Sequence, residues 1–226
     1  MYQRAVNIYQ SVLKHKQSVI MGASSAPAPV SDPSTDGGGV AFSNGLNTPR
    51  YKVLKSFPTF EIRQYPAQMW TSVKIESAEL PYEKVVSQAF RMLFKYISGA
   101  NVNKQKVDMT APVATDIYPA AGPACDTTFI VSFFVPFALQ SNPVAPTDPS
   151  VFTRQSAERI VAVRSFGGFI DTYASTVQPH AVQLGADLLA QGIKINNTMH
   201  TVSVYDSPFK RMRSCSNCCL MYCHGL

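Results

Sequence analysis

The feature that most limits how this chain can fold is a weak internal repeat. Residues 63–66 (RQYP) and 164–167 (RSFG) share one pattern, in which an arginine, any residue and an aromatic residue precede a turn residue. Each is followed by a strand or loop, a helix that ends at glycine, and strands that end near proline. One such unit buries too little apolar surface alone, so two units must face each other around a shared core. The repeat predicts an α+β fold with a pseudo-two-fold sheet and strand–helix–strand halves.

Hydrophobic periodicity places two helices and a series of short strands along the chain. Pro81 fits the first turn of a helix, and Gly99 ends it. Its apolar positions recur at helical spacing, and they are Tyr82, Val86, Ala89, Phe90, Leu93, Phe94 and Ile97. A second helix is predicted at residues 174–191, ended by Gly192. Strands are predicted at residues 60–64, 69–75, 106–110, 127–135, 151–155, 159–166 and 199–205.

Composition divides the chain into four segments. Residues 1–20 combine apolar side chains at helical spacing with a basic opposite face and no acid, which fits a targeting segment or a helix on an anionic membrane. A frayed terminal helix explains the same pattern. Residues 21–50 are rich in Gly, Ser, Pro and Asn, as flexible linkers are. Residues 51–210 form the predicted domain, and residues 211–226 are a tail that holds four of the five cysteines.

The distribution of charge argues against a nucleic-acid partner. The formal net charge is +6, but basic and acidic residues nearly balance within residues 51–210. No apolar run is long enough to span a bilayer, and no signal peptide is recognisable. Only Cys125 lies within the predicted domain, which favours a reducing compartment. We therefore expect a cytoplasmic protein, with a mitochondrial or other organellar location through residues 1–20 as the alternative.

Five segments, in matching order and spacing, resemble the SOUL/haem-binding family. They are residues 60–66 (FEIRQYP) with Trp70, 90–101 (FRMLFKYISGAN), 109–113 (MTAPV), 163–168 (VRSFGG) and 205–210 (YDSPFK). The match covers most of the chain from residue 51 to residue 210. The resemblance implies a twisted, barrel-like antiparallel sheet flanked by two helices. It also implies a shallow hydrophobic cleft that takes haem or another porphyrin, such as protoporphyrin IX.

The same resemblance implies where this cleft lies. In the family it is lined by the first helix, which corresponds here to Phe90, Leu93, Phe94 and Lys95, with Lys210 as a second basic position. A porphyrin presents a wide apolar face and two carboxylates, so it requires aromatic area with cations at the rim. Ordinary helix core explains the apolar residues equally well, and solvated lysines explain the basic ones.

Gln64 marks a departure from the family. Some members have a histidine at this position, a candidate iron ligand, and a neutral amide is a poor axial ligand by comparison. We therefore expect loose binding with no strong axial ligand and no metal site, so that metal-free protoporphyrin IX binds about as well as haem.

The tail is a second departure. Family members continue beyond residue 210 into a closing strand, whereas residues 211–226 of this chain are cysteine-rich. The last predicted strand, 199–205, should then have an unpaired edge. Cys223 and the terminal Leu226 partly match a prenylation box, which would give the chain a lipid anchor. His224 and Gly225 are not the aliphatic residues of such a box, so we expect a disordered thiol-rich tail, with lipidation as the alternative.

No catalytic motif is present, so we expect a non-enzymatic protein that binds tetrapyrrole for transport or buffering. Two alternatives belong to other functional classes. The second helix carries Val182, Leu184, Leu188 and Leu189 and resembles the cell-death-related helix of the family, which would make the chain a protein-interaction module. A small hydrolase is the third possibility. The sequence does not indicate an oligomeric state.

Overall fold

A computed structural model describes residues 46–120, 126–167, 170, 172–195, 198–205 and 218–223 of this chain. The strands are β1 (Lys52–Ser56), β2 (Glu61–Tyr65), β3 (Met69–Ser77), β4 (Val113–Tyr118), β5 (Thr127–Phe134), β6 (Val151–Gln155), β7 (Arg159–Phe166), β8 (His200–Val204) and β9 (Cys218–Cys223). The helices are α1 (Tyr82–Ile97) and α2 (Gln178–Ala190). The predicted targeting segment at 1–20, most of the linker, Lys210 and part of the tail lie outside the described residues.

The nine strands form one antiparallel sheet in the order β1-β2-β7-β9-β8-β4-β5-β3-β6. The unit β3-α1-β4-β5 recurs as β7-α2-β8-β9, because β5 lies between β4 and β3 just as β9 lies between β8 and β7. The two units meet where β4 pairs with β8. This arrangement confirms the predicted α+β class with a pseudo-two-fold relation and one helix per half. The outermost strands β1 and β6 do not pair with each other, so the sheet stays open.

The arginine motifs that suggested the repeat do not occupy equivalent positions. Arg63 lies in β2 and Arg164 lies in β7, and these two strands are antiparallel neighbours. The counterpart of β7 in the first half is instead β3. The predicted topology is therefore correct, but the alignment of the two motifs is wrong. An aromatic residue before a turn is common at the ends of strands. This short pattern therefore recurs on strands that are not equivalent in the two halves.

Strand β9 corrects the expectation that the tail leaves an open edge. It pairs with β7 from Phe166↔Cys218 to Val161↔Cys223, and with β8 from Val204↔Cys218 to His200↔Tyr222. Since β8 also pairs with β4, both of its sides are occupied and the predicted unpaired edge is wrong. β9 also joins β1, β2 and β7 to the other five strands. Its sequence CCLMYC is apolar throughout, as suits a central strand.

The segment before Pro112 was also predicted incorrectly. Residues 106–110 do not form a strand, and Thr110 makes only an isolated bridge with Asn47. The strand begins after the cis Ala111–Pro112 peptide, as β4. The sequence pattern predicts that a strand ends before Pro112, whereas in the structure Pro112 directly precedes β4. Within the described part of the chain, neither helix is long and apolar enough to cross a membrane.

Candidate functional site

Helix α1 buries most of the predicted face, but the border of that face is shifted. Its buried residues are Tyr82, Val85, Ala89, Leu93, Tyr96 and Ile97. Val85 and Tyr96 thus take the places predicted for Val86 and Phe94, and the Tyr96 hydroxyl donates a hydrogen bond to the Val144 carbonyl at 2.7 Å. The apolar face is therefore rotated, and Phe90 and Phe94 lie at its border with solvent.

Phe90 and Phe94 form a continuous aromatic surface, which we call the aromatic shelf. Their rings are nearly parallel, with an interplanar angle of 13° and centroids 6.0 Å apart. Phe90 in turn meets the buried ring of Phe133 edge-on at 5.3 Å, which anchors the shelf to the core. Phe94 is 49% exposed and so presents much of its ring to solvent. Leu93 is fully buried beneath the shelf and belongs to the core.

Two cations lie beside the aromatic shelf. Lys95 directly follows Phe94, and Arg91 lies one helical turn before Lys95 on the same side of α1. Both side chains are exposed, and the Arg91 Nε donates to the Ser87 carbonyl at 3.2 Å, which holds its guanidinium along the helix. Arg91 was not singled out from the sequence, although its four-residue spacing from Lys95 would have identified it. The shelf with these two cations has the composition required by a ligand that has a planar apolar face and two carboxylates.

The other predicted site residues lie elsewhere. Gln64 is in β2, where its Nε2 donates to the Glu158 carboxylate at 2.5 Å. β2 pairs with β1 and β7, whereas α1 packs on β3, β5 and β6. The structure therefore brings Phe90, Phe94 and Lys95 together but places Gln64 on another part of the sheet. Lys210 lies outside the described residues.

Two histidines lie in the second strand–helix–strand half, His180 on α2 and His200 on β8. The ring of His180 stacks on Phe166 at 3.9 Å, and burial, with a smaller effect of Arg164, lowers its pKa. The Nε2 of His200 lies 2.6 Å from the Tyr173 hydroxyl. Burial lowers the pKa of His200 to about 4, although the negative charge of Asp116 acts in the opposite direction. Neither histidine lies on α1, and the described residues contain no cluster of His, Cys, Asp and Glu suited to a metal ion.

The low pKa of His200 predicts loss of stability in mild acid. The unfolded chain binds a proton near pH 6.5 and the folded chain only near pH 4, so the folded state is favoured fully above pH 6.5 and loses stability as the pH falls. Between pH 8 and pH 4.5 this contribution should decrease by about 2.5 kcal/mol. Urea unfolding at both pH values should show a smaller decrease for His200→Gln than for the parent. An equal decrease in both proteins would contradict the prediction. His180→Gln, which replaces the other described histidine, serves as the comparison.

Helix α2 uses its leucines for packing within the domain. Leu184 and Leu188 are fully buried and pack with Phe60 and Ala162. Leu189 is 57% exposed, and Val182 is half-buried. Two of the four residues that suggested an interaction helix are therefore part of the core, and a partner would reach them only after α2 had left the sheet.

Comparison with known proteins gives matches in sequence and in structure. A family model described as SOUL heme-binding protein matches residues 46–217. Human heme-binding protein 2 is 32% identical over 174 residues, which cover 75% of this chain and 83% of that protein. Pig heme-binding protein 1 is 27% identical over 95 residues, covering 42% of this chain and 50% of that protein. The crystal structure of the EcmrR C-terminal domain superposes with a TM-score of 0.53 at 9% identity, covering 73% of this chain and 95% of that one, which shows a similar fold alone.

Proposed function

Because the chain belongs to the SOUL heme-binding protein family, we propose that it binds a tetrapyrrole, haem or protoporphyrin IX, reversibly and without catalysing a reaction. The match to the family model confirms the resemblance inferred from the five sequence segments. The relatives are named for haem binding. For this chain we assign the ligand to the aromatic shelf of α1 and infer a role in transport or buffering.

The observation that carries this proposal is the stacked, half-exposed pair of Phe90 and Phe94. Parallel rings at a helix surface offer a flat apolar area on which a porphyrin face can stack. Arg91 and Lys95 lie beside this area and supply donors for the two propionates. Because Phe90 contacts the buried Phe133, the shelf is held in place before the ligand arrives.

Iron contributes little to binding in this proposal. Gln64 is engaged with Glu158 and lies away from α1, and the two described histidines are on α2 and β8 of the second half. The apolar face and the propionates are common to haem and metal-free protoporphyrin IX. The two ligands should therefore bind with similar, modest affinity.

Replacing Phe94 with alanine should weaken binding of both ligands about tenfold, because it removes about 1.4 kcal/mol of apolar contact with the porphyrin. Absorbance titration in the Soret region measures the affinity of each ligand. Phe137→Ala is the matched control, since Phe137 is 40% exposed but lies outside α1. It should leave both affinities unchanged.

Three results would contradict the proposal. Equal affinities of the parent and Phe94→Ala would place the ligand elsewhere. An equal loss in Phe137→Ala would show a general loss of apolar surface rather than a site. Haem binding far tighter than protoporphyrin IX binding, with a spectrum of two histidine ligands, would assign the iron to residues other than the shelf.

A further inference from the structure

The segment from Lys84 to Val107 carries positive charge only. It contains five cations and no acidic residue, and the cations are Lys84, Arg91, Lys95, Lys104 and Lys106. All five side chains are exposed. The near balance of charge in the domain as a whole therefore conceals a local excess at α1 and the turn that follows it. We call these five residues, with Phe94 and Val102, the basic surface.

The five cations occupy one helix face and the end of that helix. Lys84, Arg91 and Lys95 are spaced by seven and four residues, which places them on the same side of α1. The following turn folds back against the C-terminal end of α1, since the Val107 amide donates to the Ile97 carbonyl at 2.8 Å. Lys104 and Lys106 are thereby held near the end of the helix. The three helix cations, from Lys84 to Lys95, span about 17 Å of α1, and Lys104 and Lys106 extend this strip past the end of the helix.

Two large apolar side chains project from this strip. Phe94 is 49% exposed and Val102 is 60% exposed, the highest value among the exposed large hydrophobic residues of the described chain. Val102 lies in the turn, where its amide donates to the Ala145 carbonyl at 3.0 Å and fixes the backbone. Exposed apolar residues among cations are typical of protein segments that lie at the surface of a bilayer.

Neither the tetrapyrrole nor the stability of the helix accounts for this composition. A porphyrin has two carboxylates, for which Arg91 and Lys95 suffice, so Lys84, Lys104, Lys106 and Val102 remain unexplained. Cations near the C-terminal end of a helix stabilise its dipole, but Lys84 lies in the first turn, where a positive charge is unfavourable. The charge therefore indicates a partner with a negative surface larger than one porphyrin.

We propose that the basic surface docks this protein onto a bilayer that contains anionic lipid. The lipid headgroups pair with the five cations, while Phe94 and Val102 enter the interface between headgroups and acyl chains. A single-stranded nucleic acid would pair with the cations and stack a base on Phe94, but it would give the aliphatic side chain of Val102 no apolar environment. The basic surface shares Phe94, Arg91 and Lys95 with the proposed tetrapyrrole site. Val102, Lys104 and Lys106 lie outside the aromatic shelf and its two cations, so they test the membrane contact separately.

The test compares two triple variants of the full chain in reductant, so that residues 1–45 contribute equally to each. The test variant is Val102→Ser, Lys104→Glu and Lys106→Glu. The matched control is Leu54→Ser, Lys52→Glu and Lys55→Glu, which also replaces one aliphatic residue with serine and reverses two lysine charges, at exposed positions of β1. Co-sedimentation with phosphatidylcholine vesicles containing about 30% phosphatidylserine measures binding.

The test variant should bind these vesicles at least about twentyfold more weakly than the parent, since each cation near an anionic surface contributes about fivefold in affinity. The control should bind within about twofold of the parent, and binding of the parent should weaken as salt rises. The haem affinity of the test variant should equal that of the parent. The haem titration therefore tests the tetrapyrrole proposal separately from the membrane contact.

Several outcomes would overturn the inference. Equal losses in the two variants would show a dependence on net charge alone, and no loss in either would assign any membrane binding to residues 1–45. Equal binding of the parent to vesicles of phosphatidylcholine alone would remove the role of the cations. If single-stranded RNA bound the parent more tightly than the vesicles and the test variant lost both, the partner would be a nucleic acid.

Discussion

Replacing Leu220 with proline should abolish cooperative folding of this protein. Leu220 lies in the middle of β9, where it pairs with Arg164 on one side and Val202 on the other. Proline removes an amide donor and clashes with a neighbouring strand, and central strands do not tolerate it. Because β9 joins the two groups of strands, we expect a loss of more than about 5 kcal/mol, comparable to the whole stability of a domain.

Leu54→Pro is the matched control for this experiment. Leu54 lies in the edge strand β1, where the register shifts between Val53 and Lys55 and leaves a bulge. Proline is tolerated at bulges in edge strands, so the loss should be below about 1 kcal/mol. Urea unfolding followed by near-ultraviolet circular dichroism, in reductant, measures both variants. If Leu220→Pro unfolds in a cooperative transition close to that of the parent, then β9 is dispensable for folding, as a disordered tail would be.

Local signals in the sequence located most elements well. Pro81 and Gly99 gave the bounds of α1 to within one or two residues, and Gly192, with a φ of +67°, follows the end of α2. The aliphatic and aromatic run in residues 127–135 predicted β5. These signals succeed because capping, backbone freedom and side-chain branching act within a few residues of chain.

The border of the buried face of α1 could not be predicted in the same way. Residues at two adjoining stripes of this helix are apolar, and the periodicity does not show which stripe meets the sheet. The structure buries Tyr96 because its hydroxyl finds the Val144 carbonyl, which is 48 residues away in the sequence. Phe94 is left at the surface as a result. The predicted site gained its aromatic shelf from this rotation, which depends on contacts that are distant in sequence.

Strand β9 shows the same limit more clearly. Its six residues contain three cysteines, a residue type that suggested a lipid anchor or a disordered tail rather than a strand. The rule that the two halves repeat would have predicted it, because the second half requires a strand equivalent to β5. The closing strand implied by the family resemblance pointed to the same place. The alignment of Arg63 with Arg164 obscured this requirement, since it matched β2 instead of β3 with β7.

Arg154 should be essential for the stability of the first half of the sheet. It lies on β6, and its Nη2 contacts the Asp116 carboxylate of β4 at 2.6 Å. Asp116 is only 2% exposed, and the Thr201 hydroxyl of β8 donates to its other oxygen at 2.6 Å. The Arg154 Nε also donates to the Ser72 hydroxyl of β3 at 3.1 Å. Arg154 on β6 thus contacts both β3 and β4, and β8 reaches the same Asp116 carboxylate through Thr201.

Arg154→Met should therefore destabilise the protein by about 3 kcal/mol. The substitution keeps the apolar length of the side chain but leaves Asp116 buried without its cation, and breaking a buried pair from one side costs about 3–5 kcal/mol. The lower end applies because the Arg154 side chain is 28% exposed, so water partly replaces the guanidinium. Urea unfolding at pH 7 measures this loss.

A second substitution separates the lost charge from the lost packing. Asp116→Asn removes the buried charge but keeps an oxygen that accepts from Thr201, so Arg154→Met with Asp116→Asn should regain at least about half of the lost stability. Lys74→Met is the surface control, because the Lys74–Glu76 pair is about half exposed on both sides and contributes little to folding. If the double variant is less stable than Arg154→Met alone, then the arginine acts through packing across β3 and β5, and the buried charge of Asp116 is not what requires it.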